Sequence, residues 1–364
     1  MKVDKFTAEG FRNIKKLELA PCDGINVIYG ENAQGKTNIL EGIRFFSSGR
    51  SFRGAKDREL IGFENEYASL VLDFYAKKRC QTARGVISDK KVFFLNGVEL
   101  PATGALTGEF NTVIFSPEHL SLIKDGPAER RSFTDSAICP LHPKYADCLK
   151  RYKTALVQRN AVITDMPSHP ELCSMLELYE EQLAVYGAYI IKKRIDYLSI
   201  LCDYAREIYS GISSGKEVFD AVYVSEAVKD RSMTQSDITE ALKEKLLSVR
   251  QEDMLRGVTS AGPHRDDIYV SVNGKSARMY GSQGQQRSCS LALKLGEADV
   301  LNRFTGEYPV TLLDDVMSEL DTERQNYILE RISAGQVFIT CCEPTERLKN
   351  TDGGVFCIKN GELV

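Results

Sequence analysis

The chain opens with short runs in which apolar and polar residues alternate, and these runs lead into the compact apolar segment GINVIYG. Residues 25–29 of this segment predict a strand that ends at Gly30. Apolar residues in the following TNILEGIRFF recur at helical spacing. The pattern therefore predicts a strand, a glycine-bounded loop and a helix, in that order.

Asn-Gly pairs between runs rich in β-forming residues mark further strands. Such pairs occur at Asn96-Gly97, Asn273-Gly274 and Asn360-Gly361. Each is the preferred sequence of a type I′ hairpin turn, because both central residues of that turn need a positive φ. Antiparallel hairpins near both ends of the chain predict a mixed sheet rather than a purely parallel one.

The middle of the chain has a helical pattern. From about Lys144 to Ser210 apolar residues recur at intervals of three and four, with a break at Pro167 to Pro170. This spacing predicts two antiparallel helices. A short β-like run around Val222 follows, and a further helix is predicted from Thr234 to Leu255.

Length and composition support a two-domain protein. A chain of 364 residues exceeds the size at which one hydrophobic core usually stops growing. We therefore expect two domains. One is an α/β domain with a mixed sheet (1–135 and 256–364), called the head, and the other is an inserted, mainly helical domain (136–255), called the arm. No apolar run approaches the ~20 residues that span a bilayer, and the charged N-terminus does not resemble a signal peptide. These features predict a cytoplasmic protein.

Cysteines, histidines and net charge add little specific chemistry. The ten cysteines form no CxxC pair and the four histidines lie outside zinc-binding spacings, which favours buried reduced thiols. A formal net charge of −4 does not indicate a nucleic-acid-binding protein. Basic residues do cluster after the glycine-bounded loop, as a solvated surface or as a patch that meets DNA phosphates. They are Arg44, Arg50, Arg53, Lys56 and Arg58.

The glycine-bounded loop has the phosphate-binding pattern GxxxxGK[ST]. In such a loop the backbone N–H groups and a helix N-terminus surround the phosphates of a nucleotide. Lys36 would reach the β- and γ-phosphates of ATP, and the Thr37 hydroxyl would bind Mg²⁺. The residues expected to contact the nucleotide are Gly30, Glu31, Asn32, Ala33, Gln34, Gly35, Lys36 and Thr37.

A second element, PVTLLDD, supplies carboxylates. Residues 310–313 predict a buried strand, and Asp314 and Asp315 follow at its C-terminal end, where parallel sheets bind ligands. Asp314 would hold the Mg²⁺ through water, and Asp315 would orient and polarise the attacking water as a catalytic residue together with Lys36. Without the phosphate-binding loop, this segment would be interpreted as an acidic loop after a core strand.

A third element, GSQGQQRSCSLALKLGEA, predicts a second anion site. Ser282, Gly284 and Gln285 directly precede a helix, so a serine hydroxyl and backbone N–H groups meet at a helix start. One nucleotide can use two helix N-termini when they approach from opposite sides. We therefore expect Ser282 of one subunit to cover the ATP on the Gly30 loop of another. The alternative is a flexible turn that caps a helix.

These motifs together resemble the ABC-type ATPases of the SMC family, in particular those of bacterial recombinational DNA repair. GENAQGKTNILEGI is similar to the family's Walker A segment, SQGQQR to its signature motif, and LLDDVMSELD to Walker B and the D-loop, which would contain Ser318, Glu319 and Asp321. Further segments with the same resemblance cover nearly the whole chain; they are GRSFRG, FSPEHL, GPAERRSFTD and GPHRDD.

The resemblance implies a function that the residues alone do not. It implies an ATPase head with a short arm, ATP-dependent homodimerisation and weak, DNA-stimulated hydrolysis. It also implies binding to gapped DNA and single-strand/double-strand junctions, and action with RecR and RecO in recombinase loading, replication restart and SOS induction. Arg12 and Asn13, in GFRNI, match a family segment near the nucleotide, and Arg287 would help to hold the opposite phosphates.

Departures from the ABC pattern predict slow turnover. Thr340 lies about where many ABC ATPases have a histidine, no lid glutamine is evident in the FSPEHL region, and Asp315 is one methylene shorter than the usual glutamate. Three alternatives remain open: an ABC transporter ATPase, which would need a membrane partner; a P-loop small-molecule kinase, which would not need the Ser282 segment; and a DNA clamp in which ATP only holds the dimer together.

Overall fold

The computed structural model describes residues 1–100, 106–166, 168–317, 320–349 and 353–364. Its strands are β1 Lys2–Phe11, β2 Ile14–Leu19, β3 Ile25–Tyr29, β4 Ala68–Ala76, β5 Arg79–Ile87, β6 Lys91–Leu95, β7 Val98–Glu99, β8 Thr112–Phe115, β9 Phe219–Val224, β10 Asp267–Val272, β11 Lys275–Ser276, β12 Val310–Leu313, β13 Val337–Cys341, β14 Val355–Lys359 and β15 Glu362–Leu363. Its α-helices are α1 Lys36–Ser48, α2 Ser121–Lys124, α3 Pro127–Ile138, α4 Pro143–Asp165, α5 Cys173–Ile212, α6 Gln235–Arg256, α7 Ala277–Tyr280, α8 Gln283–Thr305, α9 Thr322–Ile332 and α10 Glu346–Lys349.

The chain divides into two compact units. The first consists of Met1–Leu120, Gly211–Gly215 and Leu291–Val364, and the second of Ser121–Ser210 and Lys216–Ser290. Almost all of the predicted arm (136–255) belongs to the second unit, which also includes 256–290. The arm and head boundaries remain a prediction.

The first unit contains a mixed sheet in the order β15-β14-β3-β13-β12-β8. All neighbours from β14 to β8 are parallel, and only β15 pairs antiparallel. β8, β12 and β13 are buried along their whole length, as expected for parallel strands covered on both faces. The predicted mixed sheet is confirmed, and the carboxyl ends of β3 and β12 come to one edge of it.

A second, antiparallel sheet in the same unit has the order β2-β1-β4-β5-β6-β7. β4 alternates buried and more exposed residues, so one face of this sheet packs on the core. Aromatic residues from both sheets and from α1 form that core, including Phe6, Phe46, Phe74 and Phe338. The core therefore fixes α1, and with it the loop before α1, against the sheets.

The three predicted hairpin turns are confirmed. Asn96-Gly97 joins β6 to β7, Asn273-Gly274 joins β10 to β11, and Asn360-Gly361 joins β14 to β15. Both residues of each pair have positive φ, between 50° and 82°. This backbone geometry is the one for which Asn-Gly is the preferred sequence.

The second unit is mainly helical, as the periodicity predicted. α4 and α5 occupy the predicted helical stretch; the break between them includes Pro167, which lies outside the described residues. α6 begins at its capping residue Thr234, whose side chain accepts a hydrogen bond from the Asp237 N–H. The β-like run around Val222 is β9, in a small antiparallel sheet of order β11-β10-β9. Within the described part of the chain, no helix is long and apolar enough to cross a membrane.

Candidate nucleotide-binding site

The phosphate-binding loop Gly30–Thr37 connects β3 to α1, so the predicted order of strand, loop and helix is confirmed. Gly30 and Gly35 have φ values of 150° and 109°. A Cβ at Gly30 would lie 2.3 Å from the Ile358 carbonyl oxygen, and one at Gly35 would lie 2.8 Å from Asn13 Oδ1. The two glycines at the ends of the motif are therefore required for both their conformation and their close neighbours.

Lys36 is buried at the first position of α1 and directed toward the loop backbone. Its Nζ donates hydrogen bonds to the carbonyl oxygens of Gly30, at 2.7 Å, and Glu31, at 3.0 Å. The residue is only 4% exposed. The cation is thus held beside the loop that would surround a phosphate, and its contact with the β- and γ-phosphates remains a prediction.

Two segments distant in sequence support the loop. Asn13 Nδ2 donates to the Ala33 carbonyl at 3.2 Å, and Asn13 Oδ1 accepts from Asn38 Nδ2 at 2.8 Å. On the other side, the N–H of Gly361 donates to the Gln34 carbonyl at 2.9 Å. The Asn360-Gly361 hairpin is therefore part of the loop's support, a role that its turn sequence alone does not reveal.

The structure brings Thr37 and Asp314 together, as the predicted metal site requires. The Thr37 hydroxyl donates to Asp314 Oδ1 at 2.8 Å, and the Thr340 hydroxyl donates to the same oxygen at 2.7 Å. Burial raises the pKa of Asp314, while the hydrogen bonds from Thr340 and Thr37 oppose this rise. A carboxylate beside a hydroxyl is a hard oxygen pair that suits Mg²⁺, which takes few protein ligands and keeps waters and phosphate oxygens.

Thr340 links the two acidic residues. Besides donating to Asp314, its hydroxyl accepts a hydrogen bond from the Asp315 N–H at 3.0 Å. Asp315 has a φ of 52°, a left-handed conformation that is unusual for a non-glycine residue. The sequence singled out Thr340 only as the place of a missing histidine; the structure makes it a contact of the site. The predicted catalytic role of Asp315 remains a prediction.

Arg12 lies beside a buried carboxylate of α1. Its guanidinium donates to both oxygens of Glu41, each at 2.9 Å, and to the Glu59 carbonyl at 3.1 Å. The Glu41 side chain is fully buried and also accepts a hydrogen bond from the Ser51 hydroxyl. Contact between Arg12 and a nucleotide remains a prediction.

The basic cluster that follows the phosphate-binding loop divides into two parts. Arg44 is half-buried and donates to Thr112 Oγ1 at 2.7 Å, so its inclusion in a surface patch was wrong. Arg53 is exposed, and it donates to Asn38 Oδ1, on α1, at 2.9 Å. Burial raises the pKa of Asp314, and the Arg53 charge opposes this rise. Contact between Arg53 and DNA phosphates remains a prediction.

The FSPEHL segment places an acidic group near Asp314. A short 3₁₀ helix at Pro117–Leu120 follows β8. Partial loss of hydration raises the pKa of Glu118, the Arg53 charge opposes this, and the negative charge of Asp314 adds to it. The ring of the adjacent His119 stacks on Phe115, and burial lowers the pKa of His119 to about 3. A neutral histidine therefore anchors the segment in which no lid glutamine was found.

The predicted signature segment belongs to the second unit and begins α8. The Ser282 Oγ accepts from the Gln285 N–H at 3.2 Å, and Gln285 Oε1 accepts from the Ser282 N–H at 2.8 Å. This reciprocal pair is a capping box. Gly284 and Arg287 lie in the first turns of α8, both half-buried, whereas Ser282 is exposed.

The predicted D-loop is described only in part. Ser318 and Glu319 lie outside the described residues. Asp321 is the N-cap of α9, and its side chain accepts a hydrogen bond from the Arg324 N–H at 3.0 Å.

The fold and the paired Walker-type motifs define the class of protein, an ABC-type P-loop head of the SMC kind. Residues 2–357 match the family described as RecF/RecN/SMC N terminal domain. An Smc head domain with an extended coiled coil, bound to the C-terminal domain of ScpA from Pyrococcus furiosus, has the same fold, with a TM-score of 0.57 and 18% identity; the match covers 100% of this chain and 95% of that one.

Relatives of higher identity specify the family within this class. The DNA replication and repair protein RecF of Caldanaerobacter subterraneus subsp. tengcongensis is 41% identical over 93% of this chain and 94% of its own length. A structure of the recombination mediator protein RecF-ATP in the RecFOR pathway has a TM-score of 0.92 and 38% identity, covering 100% of this chain and 96% of that one. The chain belongs to the RecF family, which confirms the resemblance of its motifs.

Proposed function

We propose that this protein is an ATP-dependent DNA-binding recombination mediator that dimerises when it binds ATP. The observation that carries the proposal is the convergence of Lys36, Thr37 and Asp314 at one edge of the parallel sheet. The solved relative with ATP matches the chain along its whole length, which supports the same ligand here. A cytoplasmic location and a head with an arm at 136–255 belong to the same proposal.

Mg²⁺-ATP is the cofactor that these residues fit. The loop would hold the phosphates with its N–H groups and Lys36, and Thr37 and Asp314 would hold the metal ion. Asp315 would orient the attacking water. Because its side chain is one methylene shorter than glutamate, and Thr340 takes the place of a histidine, we propose a weak, DNA-stimulated ATPase that acts as a switch.

The second half of the ATP site would come from another copy of the chain. Ser282 is exposed at the start of α8, with its hydroxyl oxygen already accepting an N–H from Gln285. The hydroxyl hydrogen therefore remains able to donate to a phosphate oxygen. The surface around Ser282 would be completed by Gly284, Gln285 and Arg287. ATP bound between this surface and the Gly30–Thr37 loop of the other subunit would stabilise a homodimer.

The proposed partners are gapped and junction DNA, RecR and, through it, RecO. Arg50, Arg53, Lys56 and Arg58 are exposed near the nucleotide loop, and they support a contact with DNA phosphates. The ATP-bound relative is a recombination mediator of the RecFOR pathway, which supports RecR and RecO as partners. Recombinase loading, replication restart and SOS induction are the processes in which we place the complex.

Light scattering with and without ATP and gapped DNA tests the proposal. ATP should convert monomers to dimers, and gapped DNA should increase the dimer fraction. Lys36→Met should abolish ATP binding, whereas Ser282→Arg should bind ATP but remain monomeric, because the longer side chain would clash with the opposite phosphates. Dimerisation of Ser282→Arg with ATP would refute the shared site. DNA affinity that does not fall with added salt would remove the basic surface from the proposal.

A further inference from the structure

Glu217, to which the sequence assigned no role, directly contacts the signature segment. One carboxylate oxygen, Oε1, accepts a hydrogen bond of 2.6 Å from Gln285 Nε2. The other, Oε2, accepts one of 2.7 Å from the Tyr209 hydroxyl. All three residues belong to the second unit. Both oxygens of this half-buried carboxylate therefore accept hydrogen bonds, one of them from Gln285 in the first turn of α8.

The position of Glu217 is fixed from two sides. Tyr209 is fully buried, and its ring stacks on Phe219 at a centroid distance of 5.4 Å. The neighbouring Val218 exchanges two hydrogen bonds of 2.8 Å with Asn273, through its N–H and its carbonyl. Glu217 is therefore held by a packed aromatic pair on one side and by hydrogen bonds between its neighbour and the β10–β11 turn on the other.

The carboxylate determines which way the Gln285 amide points. A carboxylate only accepts hydrogen bonds, so it selects the NH₂ end of the amide and turns the carbonyl end toward the Ser282 N–H. That carbonyl completes the capping box, in which the Ser282 hydroxyl oxygen accepts the Gln285 N–H. The orientation of Ser282 thus depends on Glu217 through a single intervening side chain.

We propose that Glu217 is a positioning residue for the ATP-dependent dimer, which preorganises Ser282 for the phosphates of the nucleotide on the partner subunit. This inference rests on the proposed function, because it assumes that Ser282 meets ATP across a dimer interface. Gln285 acts as an orienting link between Ser282 and Glu217, and it separates the Glu217 charge from the phosphates.

The test measures the dimerisation constant in saturating Mg²⁺-ATP by analytical ultracentrifugation, with ATP binding by the monomer measured separately. Glu217→Ala should weaken dimerisation by about tenfold to a hundredfold, the fold-change that corresponds to one charge-assisted hydrogen bond. Its ATP affinity at concentrations where the protein is monomeric should stay within about twofold, because the Gly30–Thr37 loop is intact. Glu244→Ala, which removes a charge from an exposed position on α6, is the matched control and should dimerise like the unmodified chain.

A double-mutant cycle separates positioning from general stability. Gln285→Ala removes the link between Ser282 and Glu217 and should weaken dimerisation at least as much as Glu217→Ala. Because Glu217 acts through Gln285, the double variant Glu217→Ala/Gln285→Ala should dimerise like Gln285→Ala alone. Gln285→Ala leaves Glu217 in place, so it tests the link even where Glu217→Ala folds poorly.

Each outcome has a distinct meaning. If the unmodified chain fails to dimerise with ATP, the proposed function is wrong. If it dimerises and either Glu217→Ala or Gln285→Ala does so equally well, the role of Glu217 is refuted. It is also refuted if Glu217→Ala weakens dimerisation as strongly in the Gln285→Ala background as in the unmodified chain.

Discussion

Replacing Thr340 with valine removes one hydroxyl and leaves the side-chain shape nearly unchanged. That hydroxyl donates to Asp314 Oδ1 at 2.7 Å and accepts the Asp315 N–H at 3.0 Å. Thr340 is 0% exposed and Asp314 6%, so both partners of the lost hydrogen bond are buried. A hydrogen bond to a charged group contributes about 1.5–3 kcal/mol, and we expect Thr340→Val to lower the stability of the first unit by about 2 kcal/mol.

The loss should depend on pH. Burial already raises the pKa of Asp314, and removing the Thr340 donor should raise it further. A raised carboxyl pKa means that the folded state prefers the protonated form, so stability increases as the pH falls through that pKa. The penalty of Thr340→Val should therefore be largest at pH 8, where Asp314 is ionised, and shrink in acid as it takes up a proton. Mg²⁺-ATP affinity should fall in parallel.

Hydrogen–deuterium exchange of β12 and β13 peptides measures the opening free energy of this unit at each pH. Thr340→Ser keeps the hydroxyl and should lose only about 0.8 kcal/mol for the buried methyl group, independently of pH. Thr311→Val, in β12, is the matched control because the Thr311 hydroxyl makes no hydrogen bond to any residue that the structure describes. Equal losses for Thr340→Val and Thr340→Ser, or a valine penalty that does not change with pH, would refute the reasoning.

Three further predictions concern other buried groups. Arg12→Met leaves the Glu41 carboxylate without its bidentate partner and should cost about 3 kcal/mol of unfolding free energy in denaturant. Gly35→Ala brings a Cβ to within 2.8 Å of Asn13 Oδ1 at a φ of 109°, and it should reduce ATP affinity in a binding titration by at least about tenfold. Burial raises the pKa of Asp266 from 3.8 to about 6, so stability should fall as the pH rises from about 4 to 6, by on the order of 3 kcal/mol, and Asp266→Asn should flatten this slope.

Controls distinguish each of these effects from general damage. Arg12→Met/Glu41→Leu removes both partners and should recover much of the lost stability. Gly54→Ala has a comparable positive φ with nothing within 4 Å of the new Cβ, and it should leave ATP affinity unchanged. For Asp266, exchange in β9 and β10 peptides reports the second unit alone. A pH slope that is the same with and without the Asp266 carboxyl would contradict its assigned pKa.

Elements with strong local signals were predictable. The strand at 25–29 and the strand at 310–313 have the same bounds in the structure. The three Asn-Gly turns were equally predictable, because the turn type restricts φ at two adjacent residues. The pairing of Thr37 with Asp314 followed from the rule that ligands bind at the carboxyl ends of parallel strands.

The supporting contacts were not predictable, because they depend on side chains brought together by the sheets. Thr340 meets Asp314 only because β13 lies beside β12 in register. Arg44 looked like a surface cation, but its contact with Thr112 spans 68 residues and depends on how α1 packs. Glu217 and Gln285 are 68 residues apart, and neither has a local pattern that indicates the other.

The central position of β3 has a consequence for how the protein is made. β3 carries the nucleotide loop, and its neighbours on both sides are β13 and β14, which are synthesised roughly three hundred residues later. Thr37 is likewise synthesised well before its hydrogen-bond partner Asp314, which lies 277 residues downstream. A nascent chain therefore lacks both strand neighbours of the nucleotide loop until residues 337–359 have been synthesised.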